Sequence, residues 1–274
     1  MNLQYEHIIP DHPLVARELP AWLLSHGVSL VSTLDVSLLL DVPENQVRQR
    51  LAPLKARGEI VSAGRGLWVP VPAERREWGA PEPIAYIDAL MGELETDYFV
   101  GWLSSAAFHG ASHQAPQVFQ VASSRHVGDR SIGRSSLRFY ERDYVGLAPA
   151  HALSLPAGRA QIASVETSML MLTADLYQAG GIDNAATAVV ELAACEAFSV
   201  EKLIAAAPFF PCSSVRRIGW ILERFGDVRD IDALAAYCST LETTPSYLSP
   251  QQGRSGFFAT RWCLVVNREV EPDL

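Results

Sequence analysis

Long apolar runs, paired cysteines and an excess of basic charge are all missing from this sequence. No stretch reaches about 18 consecutive apolar residues, and the start of the chain, MNLQYEHIIPDHP, has no basic segment followed by an apolar one. The four cysteines are far apart, without the paired spacing of a zinc site. We therefore predict a soluble, cytoplasmic protein with reduced thiols that does not enter a membrane.

Hydrophobic residues, in contrast, are plentiful. They make up 49% of the 274 residues, whereas charged residues make up 19%, and this balance allows extensive buried cores. The length of the chain favours two domains. The segment 72–83 is proline-rich, charged and aperiodic, which is typical of a linker. We predict a first domain at 1–75 and a second domain at 76–274.

Residues 32–71 organise the first domain, because their pattern predicts a helix, a turn, a second helix and a two-stranded wing. The second helix is predicted to begin near Pro43, since proline is well suited to the first turn of a helix. Within it, Val47, Leu51 and Leu54 follow helical spacing and form one apolar stripe. A helix with a single apolar stripe packs on one side, which leaves its other side exposed.

The predicted wing begins after Gly58, a residue suited to the left-handed cap that ends many helices. Two short β-prone runs, 59–62 and 67–70, are joined by residues whose glycines permit the positive φ of a tight hairpin turn. Arg65 stands at the tip of that turn. Pro53 is an irregularity in the preceding helix, because it removes one backbone hydrogen bond and is expected to kink the last turn.

The exposed side of the second helix and the tip of the wing carry side chains that can hydrogen-bond base edges or pair with phosphates. We predict that they form a DNA-binding surface. The residues expected in the major groove are Asn45, Gln46, Arg48, Gln49 and Arg50. The residues expected at phosphates or in the adjacent minor groove are Lys55, Arg57 and Arg65. Thr33, an N-cap candidate of the helix before the turn, completes the set.

Two basic segments stand out against the net charge of −9. Residues 42–66 hold five basic and two acidic side chains, a local charge of +3, so the predicted DNA-binding surface is basic within an acidic chain. Residues 125–142 hold five basic and two acidic side chains as well. The basic residues of this second segment are Arg125, Arg130, Arg134, Arg138 and Arg142. One interpretation is a face that is exposed to solvent and has no binding role. The other is a second basic surface, which either contacts DNA phosphates next to those contacted by the wing or docks a partner.

The second domain is predicted to be mixed α+β. One helix is expected over 84–94 and another, nearly uncharged, over 98–109. From Gln117, short β-prone runs separated by turns predict a small antiparallel sheet. After Ser164 the chain returns to helices, and one further strand is expected over 261–267. The whole protein is therefore assigned to the α+β class.

Only two groups of residues in the sequence have a spacing that could suggest a metal-binding or catalytic site. His109 and His113 lie four residues apart, but Gly110 is expected to end the helix and no third ligand is evident. Ser164 and Thr167 stand at a helix start, without a nearby His or Lys to activate a hydroxyl, so capping is the favoured interpretation. We predict that the protein is not an enzyme and that it holds neither a metal nor another cofactor.

Several segments, taken in order, resemble the AbiEi family of type IV antitoxins and antitoxin-like transcriptional regulators. The resemblance covers nearly the whole chain. In the first domain it rests on VRQRLAPLKARGEIVSAGRGLWVPVP. In the second domain it rests on DYFVGWLSSAAFHGA, FQVASSRH, LRFYERD and IASVETSMLMLTAD. The order of these segments, more than any single one of them, makes the match specific.

This resemblance implies a cytoplasmic, DNA-binding autorepressor. Its winged helix would bind double-stranded DNA at inverted repeats in its own promoter. The resemblance also implies a functional partner, a nucleotidyltransferase-like toxin of a type IV toxin–antitoxin (abortive infection, or phage defence) system. Neutralisation of that toxin, attributed to the second domain, would not require a stable complex between the two proteins.

Other functions stay open at this point. The chain can be a protein-interaction module in which the winged helix is only a scaffold, or a stand-alone winged-helix regulator without a toxin partner. An enzyme has the least support. A nucleotidyltransferase encoded by the adjacent gene would distinguish an antitoxin from a stand-alone regulator.

Overall fold

The computed structural model of the protein describes residues 10, 12–111, 117–155 and 158–273. Within these residues the chain combines α-helices with three β-sheets, and the predicted α+β class is confirmed. His113, one of the two histidines considered above as a pair, lies outside the described residues.

From residue 12 onward, the described N-terminal part of the chain contains three α-helices and a three-stranded sheet. Its helices are α1 (Leu19–Ser25), α2 (Thr33–Leu40) and α3 (Glu44–Ala56), and its strands are β1 (Val31–Ser32), β2 (Ile60–Gly64) and β3 (Leu67–Pro70). The strands pair antiparallel in the order β1-β3-β2. Apolar side chains from the helices pack with the sheet, among them Leu19, Val36, Leu51 and Trp68. Two helices and a hairpin thus occupy the positions where the sequence predicts them.

A larger sheet lies in the second part of the chain. Its strands are β4 (Tyr98–Val100), β5 (Val118–Ser123), β6 (Arg130–Ile132), β7 (Ser135–Glu141), β8 (Ala150–Leu155) and β9 (Gly158–Ala163). The order is β6-β7-β5-β4-β9-β8, and β5 pairs parallel with β7, as β4 does with β9. The prediction of a small antiparallel sheet is therefore wrong. Short β-prone runs have the same period of two in both kinds of sheet, so they do not reveal how strands pair.

The segment 98–109, predicted as one helix, is a strand followed by a helix. After helix α4 (Ile87–Glu93), which lies within the helix predicted over 84–94, the chain forms β4 and then helix α5 (Trp102–Phe108). Gly101 between them is extended, with φ −133° and ψ −174°. The prediction is wrong because a buried strand and a buried helix can both be apolar on all sides, so a short uncharged run does not distinguish them.

The rest of the chain is mainly helical. The helices are α6 (Val165–Ala174), α7 (Ile182–Ala193), α8 (Val200–Ala206), α9 (Cys212–Phe225) and α10 (Ile231–Ser239). A third sheet, in the order β10-β12-β11, consists of β10 (Ser246–Tyr247), β11 (Phe257–Ala259) and β12 (Leu264–Val266). The strand predicted over 261–267 is thus shorter than expected, because Thr260–Trp262 form a 3₁₀ turn.

The six-stranded sheet separates two cores, because successive residues of a strand point to opposite faces. On one face, Phe99 and Ala122 pack with residues of helices α5, α6, α7 and α9. On the other face, Val100 and Val121 pack with helix α4 and with Val69 of the β2–β3 hairpin. The N-terminal part therefore lies against the sheet. The domain boundary at residue 75 stays a prediction.

Candidate nucleic-acid interface

Helix α3 is amphipathic as the sequence predicts. Val47, Leu51 and Leu54 are at most 1% exposed and pack in the N-terminal core. Every polar residue of the helix in the predicted DNA-binding set is exposed to solvent. These are Asn45, Gln46, Arg48, Gln49, Arg50 and Lys55, and Arg57 at the C-cap is exposed as well. The structure thus brings these predicted residues together on the outer side of one helix.

The turn before α3 is shaped by local hydrogen bonds. Ser32 caps α2 by accepting a hydrogen bond from the Asp35 backbone N–H at 3.1 Å, and Asp35 Oδ2 accepts one from the Ser32 N–H at 2.8 Å. The helix ends at Asp41, whose φ of +49° is left-handed, and Pro43 then precedes the first residue of α3. Helix α3 continues through Pro53 to its last residue, Ala56.

The β2–β3 hairpin has a two-residue turn. Gly64 pairs with Leu67 across it, and the two residues between them, Arg65 and Gly66, have φ of +44° and +79°. Positive φ at both positions is what a type I′ hairpin turn requires, and glycine adopts it without strain. Arg65 is exposed at the tip of the hairpin, where the sequence places it.

Thr33, included in the predicted DNA-binding set, is occupied inside the protein. Its hydroxyl donates a hydrogen bond to the Gly66 carbonyl at 2.9 Å and accepts one from Trp68 Nε1 at 3.2 Å. The side chain is half-buried. Thr33 therefore ties the start of α2 to the hairpin, and its hydroxyl hydrogen is already used.

Arg57 is held by a carboxylate. Its guanidinium donates from Nε and Nη2 to the two oxygens of Glu59, both at 3.1 Å. This hydrogen-bonded pair raises the pKa of Arg57 and lowers the pKa of Glu59. The other four cations of the predicted surface have neither an ion pair nor a side-chain hydrogen bond with any residue that the structure describes. They are Arg48, Arg50, Lys55 and Arg65.

The five arginines of residues 125–142 do not form one open face. Arg130 contacts the hairpin, where its Nη1 donates a hydrogen bond to the Ala63 carbonyl. Each of the other four contacts a group elsewhere in the second part of the chain. Arg125 donates to the Glu95 carbonyl, and Arg134 lies over the Trp78 ring. Arg138 pairs with the Asp129 carboxylate, and Arg142 pairs with the Asp175 carboxylate. The second basic surface stays a prediction, and these contacts compete with phosphate for the same guanidinium groups.

The residues considered for metal binding and catalysis have structural partners. His109 Nε2 lies 2.7 Å from the Ala163 carbonyl oxygen. Ser164 accepts a hydrogen bond from the Thr167 N–H at 3.1 Å, which confirms the capping interpretation. In the described part of the chain, no three residues among His, Cys, Asp and Glu are grouped so that they could hold a metal ion.

Comparison with protein families matches residues 99–224 to the AbiEi antitoxin C-terminal domain. This matched segment, residues 99–224, is referred to as the AbiEi domain. The AbiEi domain begins in β4 and ends in α9, so it contains most of the six-stranded sheet and the helices packed on it. The resemblance noted in the sequence is thereby confirmed for this segment of the second domain, and that of the first domain stays a prediction. The family is one of antitoxins, which act on a toxin partner, and it is not known for enzymatic activity.

The fold is also found in a solved structure. The crystal structure of the RV2827C protein from Mycobacterium tuberculosis superposes with a TM-score of 0.65 and 16% sequence identity. The match covers 94% of this chain and 92% of that one, and at this identity it concerns the fold alone. No curated protein matches the sequence. Among the helices within the described ranges, none has both the length and the apolar character that a membrane span needs.

Proposed function

We propose that the protein is a DNA-binding antitoxin whose first domain, residues 1–75, is a winged helix-turn-helix. The observation that carries the proposal is the outer side of α3. It presents amide and guanidinium side chains together, and Arg48, Arg50 and Lys55 lack partners among the described residues. Unpaired cations on an exposed helix lower the cost of binding a polyanion, because no internal ion pair has to be broken first.

The proposed complex places α3 in the major groove. Guanidinium groups can bind guanine through two hydrogen bonds, and the amides of asparagine and glutamine can bind adenine in the same way. Arg48 and Gln49 are the central candidates for such contacts. Lys55, at the C-terminal end of the helix, and Arg65, at the tip of the hairpin, would contact phosphates or the adjacent minor groove. The β2–β3 hairpin is then the wing.

The AbiEi domain supports the second half of the proposal. An antitoxin with a DNA-binding domain can repress its own operon, so we infer that the DNA is the promoter of this protein's own gene, bound at inverted repeats. The proposed functional partner is a nucleotidyltransferase-like toxin encoded in the same operon. Its neutralisation does not require a stable complex.

Titration of the full chain against labelled upstream DNA tests this function. We expect saturable binding that is stronger than binding to an unrelated duplex of the same length, since base contacts add to the phosphate contacts. Absence of binding at low salt would refute the proposal. If the product of the adjacent gene then co-elutes with the protein, a protein-interaction module becomes the better description.

Single substitutions on α3 should separate base contacts from phosphate contacts. Arg48→Ala is expected to weaken binding to the upstream site by about 1–3 kcal/mol and to reduce the preference for that site. Lys55→Ala is expected to weaken binding to the site and to an unrelated duplex by similar factors. Anisotropy titrations of both variants on both duplexes give the comparison. Equal losses for Arg48→Ala on the two duplexes would place Arg48 on the phosphate backbone instead.

A further inference from the structure

The AbiEi domain reaches the wing through strand β6. Arg130, the first residue of β6, donates a hydrogen bond from Nη1 to the Ala63 carbonyl of β2. The same nitrogen would lie 3.0 Å from a Cβ atom at Gly64, so the guanidinium lies closely against the wing backbone just before its tip. Arg130 and Ala63 are 67 positions apart in the sequence, so this contact joins two distant parts of the chain.

The electrostatic setting of Arg130 is unusual. Its guanidinium is half-buried, and no described carboxylate pairs with it. Burial lowers the pKa of Arg130, and the nearby positive charge of Arg65 lowers it further. Its Nε is buried without a hydrogen-bond partner. A buried charge with a carbonyl as its described partner costs stability, so the contact is not explained by its contribution to the fold.

Neighbouring contacts hold the same hairpin of the AbiEi domain against the linker. The Arg134 backbone N–H donates to the Trp78 carbonyl at 2.9 Å. At Gly133, φ is +58° and a Cβ atom would lie 2.5 Å from the Trp78 carbonyl oxygen, so this turn leaves no room for a side chain. Ile132 packs in the same core as Val69 of the wing. The β6–β7 hairpin is therefore fixed in place, and Arg130 extends from a rigid base.

We propose that Arg130 is a positioning residue for the wing, through which the AbiEi domain sets the affinity of the protein for DNA. The inference rests on the proposed DNA-binding function. Arg130 holds the Ala63 carbonyl, and Arg65 lies two residues beyond it at the tip. Without the Arg130 contact the wing would be free to change its orientation. Binding of Arg65 to a phosphate would then cost more conformational entropy, which lowers the affinity for DNA.

A double-mutant cycle in the full chain tests whether Arg130 acts through Arg65. Arg65→Ala is expected to lower the affinity for upstream DNA on the order of tenfold, the effect of losing one charge-assisted hydrogen bond. Arg130→Met is expected to lower it about fivefold when Arg65 is present and less than twofold in the Arg65→Ala background, because residues that act as a unit are not additive. Arg134→Met, on the same hairpin but without a wing contact, is the matched control.

Amide hydrogen exchange gives a second measurement that does not depend on DNA. In Arg130→Met, the amides of residues 63–67 should exchange faster than in the wild type, while those of α3 should not change. Arg130→Lys, which keeps a donor, should recover part of the protection and part of the affinity.

The possible results separate the two proposals. Equal losses for Arg130→Met in both Arg65 backgrounds would show that Arg130 acts independently of Arg65, and unchanged exchange at 63–67 would show that it does not hold the wing. Either result overturns the positioning role. If Arg130→Met binds DNA with wild-type affinity while Arg48→Ala binds more weakly, the positioning role is overturned and the DNA-binding function stands. A wild-type protein that does not bind DNA overturns both.

Discussion

Raising the salt concentration from about 50 to about 200 mM should weaken binding of the protein to its upstream DNA about 12-fold. Among the described residues, Lys55 and Arg65 are the unpaired cations proposed to meet phosphates, and each phosphate neutralised contributes about −0.9 to the slope of log K against log salt concentration. Two contacts give a slope of about −1.8 for each chain, and a fourfold change in salt then corresponds to about 12-fold in affinity. Arg57 is left out of the sum because Glu59 holds its guanidinium.

Three variants make this measurement specific. Lys55→Ala should reduce the magnitude of the slope by about 0.9, whereas Arg254→Ala, an exposed arginine between β10 and β11, should leave it unchanged. Glu59→Gln should release Arg57 and make the slope steeper by about the same amount. A slope near zero for the wild type would mean that phosphates are not neutralised, and the assignment of α3 and the wing to DNA would then fail.

Gly219→Ala is expected to destabilise the protein by about 3 kcal/mol, the upper range for overpacking a core. Gly219 lies in α9, and a Cβ atom there would be 2.1 Å from the ring of Trp262. The ring is fully buried, and its Nε1 donates to Glu223 at 2.6 Å. The indole therefore cannot move away without giving up this partly buried hydrogen bond.

Thermal denaturation measures this effect against a matched glycine. A loss of about 3 kcal/mol corresponds to a melting temperature lower by about 6–12 °C for a protein of this size. Gly92→Ala, in α4 with open space around the new methyl group, should instead stabilise the protein by about 0.5–1 kcal/mol. An unchanged melting temperature for Gly219→Ala would show that α9 and Trp262 are packed differently from this structure.

Features that depend on neighbours a few residues apart could be predicted from the sequence. The apolar stripe of α3 needs only helical spacing, and Val47, Leu51 and Leu54 lie where it places them. The hairpin turn needs only residues that accept positive φ, and Gly66 is one of them. The cap at Ser164 needs only the next helical turn. Each of these features is determined by residues within one helical turn or one hairpin, which are close together in the sequence.

Features that depend on distant partners could not be predicted. Thr33 belongs to the predicted DNA-binding set as an N-cap candidate, yet its hydroxyl meets Gly66, 33 residues further along the chain. Arg130 and Arg138 look alike in a series of arginines spaced four or five residues apart. The sheet order places Arg130 beneath the wing and leaves Arg138 exposed beside Asp129. Spacing along a chain carries no information on which strands become neighbours.

If Arg130 positions the wing as proposed, the AbiEi domain and the proposed DNA-binding surface are two ends of one thermodynamic cycle. A molecule that binds the AbiEi domain and displaces Arg130 from the Ala63 carbonyl would then lower the affinity for DNA by some factor. DNA would lower the affinity for that molecule by the same factor, because the cycle closes. Occupancy of the AbiEi domain would thus change binding at the promoter without any contact between that molecule and the DNA.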